Sequence, residues 1–414
     1  MESKNFSNTK RTAGKLGLLA AISLLMLIPL AMIKGLINNR DNTKEQVKRE
    51  IAEAYAGSQL VYAPRLQNTA IVKSASNPSE TSTHTNTTMS SEVNYFVDVE
   101  TESLHRSIYD VIVYKSSIKI TGRLTLDSYA LGASRNEMRL NVSDFKGLSS
   151  IPQIRFGDKT YSFRKRQINK DIFLGAMVEL PQDAKIGDTV DYEITMNVNG
   201  SEKLLFEAYA AATTLNMSSA YPHPSFQGGF LPVKRDVSED GFDAEWKVLW
   251  MNVNADDDDM GVRFVEPANP YQQAMRSAKY GIIIIILMFV AGLFVEFLSR
   301  REINIIQYAV IGLSLVLFYS LLLSLSEFMV FGLAYLIAAA MTTGSLVLYF
   351  RAILRNRSAY ILGLFTAAVY GVNYILIQME TYALLAGSMV LFFLLCLVMH
   401  LTADADNSRK SDKQ

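Results

Sequence analysis

The stretch GIIIIILMFVAGLFVEFL, residues 281–298, carries one ionisable side chain, Glu296, in a run otherwise free of charge. A bilayer's hydrocarbon core is about 30 Å thick and takes roughly 20 apolar residues to cross as a helix. Four further runs of that length follow, at 305–325, 328–350, 360–377 and 382–401, with only short polar breaks between them. Unpaired backbone amides in lipid cost several kcal/mol each, so every run must close its own hydrogen bonds as a helix. The C-terminal third therefore reads as a helical membrane bundle. A sixth apolar run, 16–36, follows a basic head of Lys4, Lys10, Arg11 and Lys15. It is longer than the apolar region of a secretory signal peptide, and Lys34 near its end with a polar segment after it stands in place of a small-residue cleavage site. It reads as an uncleaved signal-anchor helix, kinked at Pro29.

Orientation comes from the excess of Lys and Arg in short cytoplasmic loops. The head 1–15, the break with Arg300 and Arg301, the break with Arg351, Arg355 and Arg357, and the tail 402–414 with Arg409, Lys410 and Lys413 share one side of the membrane if there are six helices. The breaks at Ser326 and Glu327 and at 378–381 carry no Lys or Arg. Both termini are thus expected in the cytoplasm and residues 37–279 outside it.

The external segment opens with apolar residues at Val47, Ile51 and Tyr55, a spacing that suits a short helix. Residues 74–91 are rich in Ser, Thr and Asn and read as a flexible loop. Beyond them the period changes to two. Val93, Tyr95, Val97 and Val99 alternate with mostly polar residues, as do Ile118 and Ile120, and Val190, Tyr192 and Ile194. The alternation is less clean where Ile112 interrupts Val111 and Val113 and where Met177 interrupts Ala176, Val178 and Leu180. Half-buried antiparallel strands repeated at this spacing predict a β-rich, sandwich-like domain. Within it, Phe226 and Phe230 flank Gly228 and Gly229, as a close backbone crossing requires, and Trp246 ends an alternating strand from Gly241. These aromatics read as a core-forming hairpin, with a periplasmic binding surface as the functional alternative.

Chemistry is sparse. Lys+Arg and Asp+Glu are equal at 40 each, which offers nucleic acid no general attraction. The only cysteine, Cys396, lies in the last apolar run, so neither a disulfide nor a cysteine-based zinc site is available. The four histidines, His84, His105, His223 and His400, lack metal-ligand spacing, and no nucleophile elbow or phosphate loop is present. The acidic run Asp256–Asp259 departs from the alternating ligands of a calcium loop and reads as a solvated turn. No enzyme, metal or cofactor is expected. Ionisable groups at membrane depth are functional candidates by default. Glu296, four residues before Arg300, fits an i,i+4 pair at the interface. Glu327 and Glu380 fall at external helix ends and suggest either interfacial acids or a shared polar mouth. Tyr319, Ser320, Ser324, Asn373 and Tyr374 are placed to hydrogen-bond between helices.

A series of short segments keeps its order and spacing along the chain: Leu27, Ile28 and Pro29, the strand from Arg106 to Val111 with Val113 and Tyr114, His223 to Phe226, Gly229 to Pro232, and Gly241 to Trp246. It continues through Val265 to Pro267 with Tyr271, Lys279 to Gly281, Phe294 to Glu296, Leu321 to Glu327, Ala334 to Leu336, and Tyr370, Gly371 and Tyr374. In these segments the chain resembles the CreD family of inner-membrane proteins. Where the family tends to carry a Gly-Pro pair, this chain has Tyr62, Ala63 and Pro64. The resemblance implies a bacterial inner-membrane protein with a periplasmic domain, associated with envelope stress, and no established enzymatic activity. The expected function is maintenance or sensing of envelope integrity, with the β-domain binding an envelope protein or glycan and the membrane block as anchor. The competing class is a transporter or channel-like subunit for an ion or small solute that uses Glu327 and Glu380.

Overall fold

The computed structural model describes residues 2–73, 81–106, 108–168, 170–254, 258–265, 269–299, 302–355, 358–378, 388 and 392. It divides into two compact units, one of residues 1–43 with 268–414 and one of residues 44–267. Residues 37–43 and 268–279, grouped with the external segment on sequence, thus fold with the helices.

The helical unit begins with α1 (Glu2–Leu25) and α2 (Leu27–Ala54), the last part of α2 belonging to the other unit. The break between them falls at Met26, three residues before Pro29. Proline lacks the amide that would bond the carbonyl four residues back, and its ring crowds that carbonyl, here that of Leu25. Next comes α4 (Pro270–Lys279), which the sequence reading did not separate from the β-rich segment. Asn269 caps it, accepting a hydrogen bond from Tyr271 N, and Pro270 occupies its first turn, where a missing amide costs nothing. It turns by 43° into α5 (Gly281–Ser299). A capping box of Asn304 and Gln307 starts α6 (Ile305–Ser326). Arg355 in the left-handed conformation ends α7 (Phe331–Leu354), and α8 (Ser358–Gln378) follows. Among the described residues four helices are long and apolar enough to cross a membrane, or five if the bent α4–α5 pair is one span. The predicted sixth span, 382–401, lies outside the described residues except for positions 388 and 392.

The β-rich unit contains three sheets around one hydrophobic core. The largest has eight strands in the order β15 (Lys234–Ser238), β16 (Gly241–Leu249), β13 (Ala212–Ser219), β4 (Ser90–Arg106), β5 (Tyr109–Thr125), β11 (Thr189–Ser201), β7 (Gln153–Phe156) and β8 (Lys159–Ser162). A five-stranded sheet runs β3 (Thr81–Thr88), β2 (Arg65–Lys73), β6 (Arg135–Leu140), β10 (Asp171–Val178) and β9 (Arg164–Ile168). The third sheet is β1 (Gln59–Val61), β12 (Lys203–Glu207), β17 (Asp259–Phe264) and β14 (Pro224–Gly228). A short helix, α3 (Ser128–Gly132), follows β5 and is capped by Asp127. Pairing is antiparallel except for β13 on β4 and β1 on β12.

The alternating residues Val93, Tyr95, Val97 and Val99 all face the core, opposite Ile118 and Ile120 on β5. The broken alternation around Ile112 has a physical cause. Val111 and Val113 lie on the other face of β5, where Ile51 of α2 covers them with Val47 and Tyr55, so this strand is buried on both sides. The Ser/Thr-rich stretch read as a loop is in part a strand. Residues 81–88 form β3, whose polar side chains pair along β2 at the sheet edge. A run of threonines lacks a large apolar face yet is well suited to a pleated edge.

Candidate functional site

Two clusters in the helical unit each hold one of the candidate acids, Glu296 or Glu327. In the first, Lys15 of α1 contacts the Glu296 carboxylate and donates to the Ile303 carbonyl at 2.9 Å. The Tyr308 hydroxyl donates to the other Glu296 oxygen at 3.2 Å. The predicted partner of Glu296, Arg300, lies outside the described residues; the partners the structure provides are Lys15, 281 positions away, and Tyr308, 12 positions on. In the second cluster, Arg40 of α2 lies 3.4 Å from Glu327, the residue that caps the end of α6. The Tyr271 hydroxyl donates to the same carboxylate oxygen at 3.3 Å, and Asn269 donates to Asp41 at 2.9 Å. Glu327 is thereby nearly buried, its side chain 9% exposed. Glu380, its expected companion, lies outside the described residues.

The clusters mark the two ends of the bundle. Tyr308 and Glu327 are 19 positions apart along α6 and its cap, about 29 Å at the helical rise of about 1.5 Å per residue. That is close to the hydrocarbon thickness, the separation expected of charged groups at opposite interfaces, where water and headgroups share their solvation.

Between the clusters the interior is aromatic and neutral. Phe318 and Tyr370 rings lie 4.3 Å apart and Phe318 and Tyr335 rings 5.3 Å apart, binding α6, α7 and α8. Asn373 donates to Ser277 of α4 at 2.9 Å and to the Tyr335 hydroxyl at 3.1 Å, and Tyr335 donates onward to the Tyr370 carbonyl at 2.7 Å. Of the hydroxyl and amide groups predicted to join helices, Asn373 does so. Among the described residues the buried Tyr319 hydroxyl and the Asn373 carbonyl oxygen have no hydrogen-bond partner. Ser277 and Tyr335 were missed, because the hydroxyl partners come from a helix hidden in an apparently polar segment and from the middle of an apolar run.

In the β-rich unit the aromatics pack into the core, but not as one hairpin: Phe226 lies on β14, paired with β17, and Trp246 on β16, paired with β13 and β15 in another sheet. Trp246 is completely buried, its indole N–H donating to the Phe230 carbonyl at 3.1 Å. Phe226 meets it edge-on at 5.7 Å and packs against Phe242 at 6.1 Å. Trp246 therefore offers no binding surface, while Phe226 and Phe230 remain half-buried. Gly228 adopts φ +101°, and a Cβ there would sit 2.4 Å from the Asp259 carbonyl, the close crossing that two glycines between aromatics imply.

Two acids of this unit are buried, Glu137, which pairs with Arg139 and Arg166, and Glu207. Glu207 is buried, pairs with Arg65 at 2.5 Å and accepts from the Ala63 amide at 2.8 Å, while Arg65 stacks 3.9 Å over Tyr209. Burial raises its carboxyl above the usual range, and the Arg65 charge offsets this only in part. The surface acids Glu179, Glu193 and Glu245 are held low, chiefly by hydrogen bonds from Lys159, Lys119 and Lys247 respectively. Among the described residues no three His, Cys, Asp or Glu side chains converge as a metal site. Within the acidic run, positions 256 and 257 lie outside the described residues, and Asp259 is part of β17.

A family model described as inner membrane protein CreD matches residues 11–408. The inner membrane protein CreD of Escherichia coli (strain K12) is 27% identical over 413 residues, covering 92% of this chain and 91% of the relative.

Proposed function

The chain belongs to the CreD family of inner membrane proteins, and from that premise we propose that it supports cell envelope integrity or the envelope stress response. In this reading the β-rich unit is periplasmic and binds an envelope glycan or partner protein. Six helices anchor it, with both termini cytoplasmic, as the Lys and Arg bias of the short loops favours. The protein acts without catalysis of its own.

The observation that carries this reading is how the bundle spends its acids. Glu296 and Glu327 are both engaged with a cation and a tyrosine at the bundle's ends, which leaves broad sheet faces as the surfaces open to a partner. In-cell photo-crosslinking tests it, with the reactive residue at Phe96, 46% exposed on the eight-stranded sheet, at Phe230, and beside Glu327 at Phe328. Capture of a discrete envelope protein or glycan from the sheet positions is expected. Adducts at Phe328 alone would contradict the assignment. Transport is the second reading, and the unpartnered Asn373 carbonyl and Tyr319 hydroxyl favour it. Solute flux in reconstituted vesicles that disappears in Glu327→Gln would establish it.

A further inference from the structure

The three sheets are not equally charged. The eight-stranded sheet balances nine Arg and Lys with ten acids, many of them in cross-strand pairs such as Lys119 with Glu193, Arg123 with Asp191 and Lys234 with Glu245. The strands of the five-stranded sheet carry seven Arg and Lys against Glu137 and Asp171. The chain as a whole is neutral, so this is a local concentration of charge.

Side chains alternate faces along a strand, and directly paired residues share a face. The core takes Leu66, Met138, Leu140 and Leu174. The opposite face therefore collects Arg65 from β2, Arg135 and Arg139 from β6, and Arg164 and Arg166 from β9. Arg65 is paired directly with Arg139, and Gly175 of β10 is paired with both Arg139 and Arg164, so three arginines stand in one cross-strand row. Like charges opposite one another destabilise a sheet. Glu137 answers two of the five, at 3.1 Å from Arg139 and 2.9 Å from Arg166, and Glu207 answers Arg65. Arg135 and Arg164 are exposed, and no acidic partner is described for either.

Basic residues on an edge strand are a common guard against edge-to-edge pairing, which accounts for β9. It does not account for Arg135 and Arg139, because β6 lies inside the sheet between β2 and β10. The same face also presents two large aliphatic side chains to solvent, Ile71 at 57% and Ile168 at 50% exposure. Guanidinium forks match phosphate oxygens two at a time, and a basic surface bearing exposed aliphatics suits the boundary between headgroups and acyl chains.

We propose that the outer face of the five-stranded sheet docks on an anionic phospholipid surface, with Arg135 and Arg164 taking headgroup phosphates and Ile71 and Ile168 entering the interface. The inference rests on the β-rich unit being a binding module. Vesicle binding reads the arginine face alone, and the crosslinking above reads the module at other positions, so the two can fail separately.

The test uses the full chain in nanodiscs of neutral phosphatidylcholine and follows its binding to labelled vesicles. Vesicles of phosphatidylcholine mixed with phosphatidylglycerol are expected to bind, less as salt rises, and vesicles of phosphatidylcholine alone are not. An Arg135→Ala, Arg164→Ala double variant should lose about 30-fold in vesicle affinity, since each basic side chain at such a surface contributes about a factor of five. An Ile71→Ser, Ile168→Ser variant should weaken vesicle binding yet leave binding of soluble polyphosphate unchanged. All four positions are exposed, and unaltered thermal melts would show both variants folded. Equal binding to neutral vesicles, no loss in the arginine variant, or polyphosphate bound as tightly as vesicles with no effect of the isoleucines would overturn the proposal.

Discussion

The two units treat buried polar groups differently. In the β-rich unit the large buried tyrosines reach partners: Tyr95 donates to the Glu207 carbonyl at 3.1 Å, Tyr114 to the Lys203 carbonyl at 2.6 Å, and Tyr192 shares a 2.8 Å bond with Ser90. In the helical unit Tyr335 is bonded, but among the described residues the Tyr319 hydroxyl and the Asn373 carbonyl oxygen are not. A sheet offers unsatisfied carbonyls wherever strands end or diverge, so a tyrosine crossing the core finds an acceptor. Helices consume their own carbonyls, so a polar side chain between them must meet another side chain or go without. The large tyrosines that cross the β-rich core are thus hydrogen-bonded, although Asn68, Asn136 and Thr213 each keep a buried oxygen without a hydrogen bond among the described residues, and the bundle is held by aromatic packing with a thin hydrogen-bond network.

That contrast can be broken at several points. The largest effect belongs to Trp246→Ala, which should cost about 3–5 kcal/mol in the β-rich unit by opening a cavity and freeing the Phe230 carbonyl. Chemical denaturation followed by near-UV circular dichroism reads it, and a loss below about 1 kcal/mol would show that Trp246 is not core. Within the bundle, Asn373→Leu removes two hydrogen bonds together with an unpartnered carbonyl. The cost should be only about 1 kcal/mol, near the modest values of polar contacts between membrane helices. Thermal denaturation in a fixed detergent separates this from a disabling loss, which would mean that the network dominates bundle stability.

The pH dependence sharpens the comparison further. Glu207 has a folded-state affinity for protons above that of the unfolded chain, because burial outweighs Arg65. Its contribution therefore falls as pH rises from the ordinary carboxylate range through its raised value, the reverse of Glu193, whose lowered carboxyl favours the fold above the ordinary range. Glu207→Gln should flatten the first dependence while leaving stability at low pH little changed. Stability profiles of the two proteins against pH decide this, and parallel profiles would remove Glu207 from the account. The smallest effect is expected from Lys119→Ala. Its pair with Glu193 is solvent-exposed, and such pairs contribute about 0–1 kcal/mol.

Much of the architecture was legible because its signals are periodic. Apolar runs of bilayer length mark α5 to α8, and strict alternation marks β4 and β11. Legibility failed where two environments cover one segment. Val111 and Val113 break the period of β5 because α2 packs on its second face, and β3 hid in a threonine-rich stretch with no apolar side. α4 was missed because Tyr271, Ala274, Ser277 and Ala278 are buried among helices, while Arg276 and Lys279 made the segment look external. The candidate acids were visible by depth alone. Their partners were not, since Lys15 with Glu296 and Arg40 with Glu327 join residues separated by most of the chain. The arginine face escaped notice because its five residues come from three strands and meet only through the pairing register.

The β-rich surface carries the proposed function, and the bundle's acids have a supporting role. The most direct test is envelope permeability to a detergent in cells lacking the protein, complemented either by Glu327→Gln or by a chain with Phe96→Asp, Arg135→Ala and Arg164→Ala, at matched membrane levels. Full rescue by Glu327→Gln with lost rescue by the surface variant is the predicted result. Full rescue by the surface variant with failure of Glu327→Gln would contradict the account and move the function into the bundle.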